Sequence, residues 1–321
     1  MKSVKEVGDF ENKKVLVRVD WNVPVGENGE ILDASRIEVS LPTIEYIKNH
    51  NGIPIIASHF GREGESIEPV MTYAKKNYPI LATSVEFLEN LRQNSGEETN
   101  SEEFAKELAS KAEFYVNEAF SVSHREHTSI ISVPKLLPSF AGLRFLEEFE
   151  KLSTAFNPEH PFLFILGGAK FETKLPLVKK FLNIADYIFI GGALAQKALE
   201  TESLTQNPKI ILPVGDLSAL DINQETLVLL KSKIENSKFI LWNGPLGKYE
   251  DGYKEGTLKL AQILANSNAK VIVGGGDTEN VIDELNISHK FFFVSLAGGA
   301  MLEFLANGTL PGIEALNQTP S

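Results

Sequence analysis

The sequence predicts an α/β protein of two domains, each a parallel sheet flanked by helices, joined by a connecting helix that carries a hinge. Three observations lead there. Nine short apolar runs end in turn signals and alternate with helical stripes, the pattern of strands covered by helices. The 321 residues, 43% of them hydrophobic, suit two ordinary globular domains. Finally, a single amphipathic stripe lies between two clusters of Pro and Gly near the middle of the chain.

In chain order the strand runs are VLVRVDW (15–21), IPIIASH (53–59), FYVNEAF (114–120), FLFILGG (162–168), YIFIGG (187–192), KIILPV (209–214), FILWNG (239–244), KVIVGGG (270–276) and FFFVSLAGG (291–299). Helical stripes with apolar spacings of three and four occupy 41–50, 101–112, 225–234, 256–267 and 278–286. LPSFAG (137–142) and NPEHP (157–161) bracket the connecting helix LRFLEEFEKLSTAF (143–156), with Leu143, Leu146, Phe149, Leu152 and Phe156 on one face. This divides the chain into a first domain over 1–142 and a second over 157–309. Both are expected to be Rossmann-like.

Composition removes several classes of chemistry. With no Cys, a disulfide framework, a thiolate zinc site, an iron–sulfur cluster and a Cys nucleophile are excluded, while oxygen-ligated metals and phosphate chemistry stay open. A net charge of −12 disfavours non-specific nucleic-acid binding. No run is long enough for a membrane span and MKSVKEVGDF lacks a signal-peptide core, so a cytoplasmic protein is expected. Only six cations are Arg, all at or before Arg144, against Lys throughout. Because Arg forms the planar fork that suits carboxylates and phosphates, the asymmetry suggests an oxyanion-binding first half, composition bias being the bland alternative.

Open α/β sheets bind ligands at the carboxyl ends of their strands, and there the polar residues gather. The first run ends in Asp20, Trp21 and Asn22, and the second in His59, Phe60, Gly61 and Arg62. Arg36, Arg92 and Arg125 follow nearby turns or strand ends. Any one of these could be a turn residue or a solvated charge. Together they favour an anion pocket with His59 as a phosphate donor. The pair His124 and His127 has metal-ligand spacing but no suitable third partner, and is set aside.

Glycine clusters close four strands of the second half: Gly167-Gly168-Ala169-Lys170, Gly191-Gly192-Ala193, Gly274-Gly275-Gly276-Asp277-Thr278 and Gly298-Gly299. Glycine between a strand and a helix lets backbone N–H groups approach an anion, so four clusters favour a nucleotide site over four tight turns. G-x-G-x-x-G, the P-loop motif and the protein-kinase signatures are missing from the sequence, which disfavours those families. If a helix begins near Phe171, Lys170 and Lys174 lie one turn apart and can address one phosphate chain. Asp277 can cap its helix, or hold Mg²⁺ with phosphates and water completing the shell.

In this order the motifs resemble the phosphoglycerate kinase family. VLVRVDWNVPV, SRIEVSLPTI, ASHFGR, FLENLR and YVNEAFSVSHREHTS resemble its substrate domain. ILGGAKFETK, IFIGGALA, LWNGPLGKYE, VIVGGGDT and SLAGGAMLEFLANGTLPGIEAL resemble its nucleotide domain. The resemblance implies reversible phosphoryl transfer between 1,3-bisphosphoglycerate and ADP, giving 3-phosphoglycerate and ATP, with Mg²⁺ as the nucleotide's cofactor. It implies that Asp20 and Asn22 contact the glycerate, with Arg36 at its carboxylate and at the moving phosphoryl group. His59, Phe60, Gly61, Arg62, Arg92 and Arg125 would serve the distant phosphate. Lys170, Gly276 and Gly299 would join Arg36 at the transferring group. Gly168, Ala169, Lys174, Asn243, Pro245 and Gly275 to Thr278 would bind nucleotide, with Asp277 at the metal, Glu250 at the ribose, and Gly191 and Gly192 on the adenine side. The C-terminal segment 310–321 is expected to return to the first domain, and the protein to act as a monomer.

A carboxylate acceptor is already ionised at pH 7, so this chemistry needs no general base, only placement and cations around the equatorial oxygens. Two ligands on separate domains imply closure about the connecting helix. The chain is shorter than is usual for the family at 63–88 and 199–219, and Leu296 and Ala297 depart from its last glycine motif. Two rival readings are a catalytically silent relative that senses phosphoglycerate or nucleotide, and a clamshell binding protein, which the lack of a signal peptide disfavours.

Overall fold

The computed structural model describes residues 1–318, and they form two compact units. One comprises 1–149 together with the segment from 309 onward, and the other comprises 150–308. Helix Leu143–Ser153 contains the division, and a single 3₁₀ turn at Thr154–Phe156 follows it. The last three residues of the C-terminal segment, 319–321, lie outside the described residues.

In the first unit, β1 (Lys14–Arg18), β2 (Ile53–Ala57), β3 (Glu86–Phe87), β4 (Phe114–Asn117) and β5 (Ser139–Ala141) form one parallel sheet in the order β3-β2-β1-β4-β5. Two of these strands escape the sequence pattern. β3 has two residues and β5 three, too few to show an apolar run, and β5 falls within LPSFAG, read above only as a breaker. Val15, Val17, Val19, Trp21, Ile44, Ile47 and Ile56 make up its core. Helix Pro311–Asn317 belongs to this unit, the Gly312 N–H donating to Ser123 O at 2.9 Å.

The second unit contains β6 (Phe162–Leu166), β7 (Tyr187–Ile190), β8 (Ile210–Ile211), β9 (Phe239–Asn243), β10 (Lys270–Gly274) and β11 (Phe293–Ser295). Their order is β11-β10-β9-β6-β7-β8, all parallel, which is the doubly wound arrangement of a Rossmann fold. Helices cover both faces, so β6 and β9 are buried along their whole length. That is why both read as unbroken apolar runs rather than alternating ones.

Each sheet has one place where the direction of crossover reverses: between β1 and β4 in the first unit, and between β6 and β9 in the second. Beyond the carboxyl ends of those pairs the loops diverge and leave a crevice.

Candidate active site

At the β1/β4 crevice the centre is Asp20, two residues past β1 and 8% exposed. Its Oδ2 accepts from Arg36 Nη1 at 2.6 Å and from the Ser121 hydroxyl at 2.5 Å, which ties together the segments after β1 and β4. Burial opposes ionisation of this carboxyl, but the Arg36 charge and the Ser121 hydrogen bond outweigh it, so Asp20 titrates below the ordinary carboxylate range. His59 follows β2 and is buried, with Nδ1 3.3 Å from Arg18 Nη2 and 3.8 Å from Asp20 Oδ1. Burial first and the Arg18 charge second push its imidazole down to about 3, so it is neutral at pH 7. It can donate or accept a hydrogen bond there without carrying charge.

Around this centre the sequence-predicted residues hold one another. The Asn22 carboxamide oxygen accepts from the Gly61 N–H at 2.9 Å, and Arg92 Nη1 donates to Gly61 O. Phe60 is fixed through its backbone by Asn90, which accepts from its N–H at 2.9 Å and donates to its carbonyl at 2.7 Å. Arg92 also pairs with Glu98 at 2.8 Å. Arg125 is half-buried, and burial followed by the repulsion of Arg92 lowers its pKa, so the two guanidiniums feel each other. Arg62 is exposed, on a loop that its own N–H pins to Glu65 at 3.0 Å. The result is a surface of Arg and neutral His with one paired carboxylate at its centre, suited to a small, multiply charged anion.

At the β6/β9 crevice lies a cleft of about 700 Å³. Gly168, Ala169, Lys170, Lys174, Asn243, Pro245, Glu250, Gly275, Gly276, Asp277 and Gly299 line it. A second cavity of about 310 Å³ shares Gly168, Ala169, Pro245, Glu250 and Asp277 with the first and extends past Gly192 to Leu217, Leu220 and Tyr249. A cleft edged by Lys, Asp and glycine that opens into an annex bordered by Leu217, Leu220 and Tyr249 fits a polyphosphate joined to a flat ring system.

The helix after β6 runs from Phe171 to Phe181 with Lys170 at its cap, so Lys170 and Lys174 are one turn apart on the cleft side. Lys170 is exposed, whereas Lys174 is 8% exposed and donates to Gly167 O at 2.6 Å and Asn243 Oδ1 at 3.2 Å. Burial pulls the Lys174 ammonium down to about 8, the Asp277 carboxylate partly resisting. The helix after β10 starts at Gly276, and its cap, Gly275, has φ +110°, a conformation that favours glycine. Gly167 is required for a different reason: a Cβ there would lie 2.1 Å from Pro245 O.

Of the remaining expected residues, Thr278 is buried and its Oγ1 accepts from the Gly244 N–H at 3.1 Å. Gly191 lines neither cavity; a Cβ there would lie 2.7 Å from the Phe189 ring and 2.9 Å from Leu246. Leu296 and Ala297 do not line the cleft. Ala297 is buried and its N–H donates to the Ser295 hydroxyl at 3.2 Å. His124 and His127 form no metal cluster, and among the described residues no three His, Asp or Glu gather as one could require. Asp277 instead offers a hard carboxylate to a cleft that it shares with Lys170, Lys174, Glu250, Glu303 and several glycines, which fits a cation that takes most of its ligands from phosphates and water.

Sequence reasoning missed Arg18, Asn90, Ser121 and Ser129. Arg18 carried a visible signal, a cation among the valines of VLVRVD; Asn90 did not, since β3 before it shows no apolar run. Ser121 and Ser129 carried none.

Two doubly wound sheets, one with an Arg-rich anion pocket and the other with a nucleotide-shaped cleft at the switch point, define a two-unit phosphotransferase. The phosphoglycerate kinase family model matches residues 4–82, 70–207 and 199–308. Similar proteins include the phosphoglycerate kinases of Finegoldia magna, 35% identical with 99% of each chain covered, and of Aquifex aeolicus, 36% identical over 97% of this chain and 96% of that one. The solved structure of phosphoglycerate kinase from Coxiella burnetii has a TM-score of 0.86 and 30% identity, with 98% of each chain covered. This chain belongs to the phosphoglycerate kinase family. The match to the Finegoldia protein extends over 396 positions for a chain of 321 residues, so that relative carries residues this one lacks. The joins between the matched segments, at 70–82 and 199–207, fall within the two regions read above as shortened.

Proposed function

We propose that the chain catalyses its family's reaction, reversible phosphoryl transfer between 1,3-bisphosphoglycerate and ADP, with the acid phosphate bound in the first unit and the nucleotide in the second. The observation that carries this is the pairing of chemistries at the two switch points: Arg36, Arg92, Arg125 and His59 around Asp20, and Lys170 and Lys174 with Asp277 among glycine-started helices.

In this reading Arg36 leaves Asp20 in part to meet the substrate carboxylate, and Asp20 with Asn22 accepts the glycerate hydroxyl. Neutral His59 donates to the distant phosphate beside Arg62, Arg92 and Arg125, with the Phe60 and Gly61 backbone held in place behind it. Lys174 and the backbone N–H groups at Gly168, Ala169 and Gly275 to Thr278 bind the nucleotide phosphates. Glu250 takes the ribose hydroxyls, while Pro245 and Gly192 border the base, with Gly191 next to them in the chain. Mg²⁺ bound with the nucleotide and Asp277 supplies charge neutralisation at the phosphates. Transfer then needs no proton to be moved by the protein. Arg36, Lys170 and the helix starts at Gly276 and Gly299 surround the equatorial oxygens and hold the charge that spreads over them. Ligands held by different units must be brought together first, which also excludes water that would hydrolyse the nucleotide.

The protein is further proposed to work as a monomer in the cytoplasm. Among the described residues no helix is long and apolar enough to cross a membrane, and the residues assigned to both ligands come from one chain. Retention of Lys170 and Asp277 weighs against a silent sensor, whose simplest signature would be loss of one of them. A coupled assay of ATP-dependent 1,3-bisphosphoglycerate formation tests the reading. Turnover supports it, and background activity from folded protein that still binds Mg-ATP would replace it with the sensor.

A further inference from the structure

Behind the first unit's anion pocket lies a buried ionic relay that the reaction scheme leaves unused. Arg18, the last residue of β1, is 1% exposed, and a guanidinium buried so fully needs its charge balanced inside the protein. Its Nη2 faces His59 on the pocket side, and its Nη1 donates to Val19 O at 2.5 Å. Its Nε points the other way and donates to the Ser129 hydroxyl at 2.8 Å. Ser129 Oγ in turn donates to Glu97 Oε1 at 2.6 Å, and the Ser129 N–H donates to Glu97 Oε2 at 3.0 Å. Glu97 is fully buried. The nearby His127, with Nδ1 3.9 Å from Glu97 Oε1, is pushed down to about 4 by burial and by Arg125, so at pH 7 it adds no charge.

The direction of every bond in this chain is set. A guanidinium N–H only donates, so the Ser129 oxygen accepts from Arg18 and its hydroxyl proton goes to Glu97. Two carboxylates therefore bear on the buried guanidinium: Asp20 on the pocket side, which feels its charge, and Glu97 through Ser129 on the far side. Without Glu97, the Arg18 charge weighs more on Asp20, which already holds Arg36 at 2.6 Å. The next residue, Glu98, faces outward to Arg92, so the adjacent carboxylates serve different guanidiniums.

We infer that Glu97 is a positioning residue for phosphoglycerate: through Ser129 it draws Arg18 away from Asp20 and keeps Asp20, Arg36 and His59 arranged for the substrate. The inference rests on the placement of phosphoglycerate in the first unit. Loss of a hydrogen bond to a charged group in this setting is worth on the order of tenfold in binding or more.

Steady-state kinetics of Glu97→Gln, Ser129→Ala and the double variant, with thermal melts alongside, test it. The relay predicts KM for 3-phosphoglycerate raised about tenfold in each single variant while KM for ATP stays within about twofold, with Glu97→Asp restoring part of the loss. Because both singles cut one chain, the double variant is expected to be no worse than the poorer single. A purely structural role would lower the melting temperature with KM for 3-phosphoglycerate unchanged, or give additive losses, and either result overturns the relay. Should Glu97→Gln fail to fold, Ser129→Ala, which leaves the carboxylate in place, decides alone. If the unaltered protein neither binds 3-phosphoglycerate nor turns it over, the functional reading fails and the relay with it. If it does both and the variants match it in KM, only the relay fails.

Discussion

Nucleotide affinity in this protein is expected to fall as pH rises past 8, and Lys174 is the reason. Burial in the wall of the cleft brings its ammonium down to about 8, a fall that Asp277 opposes and Lys170 reinforces. A polyphosphate placed against the amine favours the charged form, so the complex keeps the proton at a pH where the free protein has lost it. At about pH 8.5 roughly three-quarters of the free protein holds a neutral Lys174, and binding therefore takes up about 0.8 proton, against about 0.1 at pH 7. Above pH 8 the dissociation constant should climb toward a limiting slope of about tenfold per pH unit until the amine in the complex also titrates. Calorimetric titration of Mg-ADP in two buffers of contrasting ionisation enthalpy counts the protons directly. Lys174→Met is expected to abolish the uptake. Equal heats in the two buffers at pH 8.5, or the same uptake in Lys174→Met, would refute the reasoning. Without nucleotide the native chain binds fewer protons than the unfolded one between about pH 8 and 10.5, so this lysine makes the fold more stable as pH rises through that window.

Arg36→Ala or Lys170→Ala should each lower kcat on the order of 10²–10³, as loss of one preorganised charge donor does, and near-normal kcat in the purified variants would remove them from the transfer step. Gly167→Ala would place a methyl 2.1 Å from Pro245 O and 2.7 Å from Gly244 O, both backbone atoms. The loops after β6 and β9 must then separate, and a cost of about 1–3 kcal/mol is expected as a lower melting temperature with weaker nucleotide binding. Glu118 is buried at the end of β4, accepting from Thr43 Oγ1 at 2.7 Å and from Arg144 N at 3.0 Å, and burial raises its carboxyl to about 8 despite those bonds. The native state therefore binds the extra proton, and the stability it confers, complete below about pH 4.5, should be lost as pH climbs toward 8. Denaturant melts of Glu118→Gln across that range should lack this part of the pH dependence, and an unchanged pH profile would exclude Glu118 as its source.

Much of the candidate site was legible because strand ends carry ligands in parallel sheets and strand ends can be read locally. Asp20, His59 and Arg92 each follow an apolar run or a short turn, and Gly167 to Lys170 and Gly274 to Thr278 do the same. Lys174 followed from helical spacing once the helix was placed at Phe171. The short strands were not legible. β3 and β5 exist because β2 and β4 offer them edges, as in the pairings of Ile56 with Phe87 and Val116 with Phe140, and their own two or three residues have no period to detect. The difference between Lys170 and Lys174 was equally hidden. Spacing treats them alike, yet one is exposed and the other is inserted between Gly167 O and Asn243, where burial pulls its ammonium down to about 8.

By itself the sequence determined the α/β class, the split into two sheets and the gathering of cations and glycines at the strand ends, since apolar periodicity and turn residues act over a few neighbours. Only the tertiary structure decided which polar side chains share a buried network. Arg18 meets Ser129 across 111 residues, Asp20 meets Ser121 across 101 and Lys174 meets Asn243 across 69. Those pairings arise where crossovers reverse and bring distant strand ends together, and burial there strengthens each charge interaction while penalising any group left without a partner.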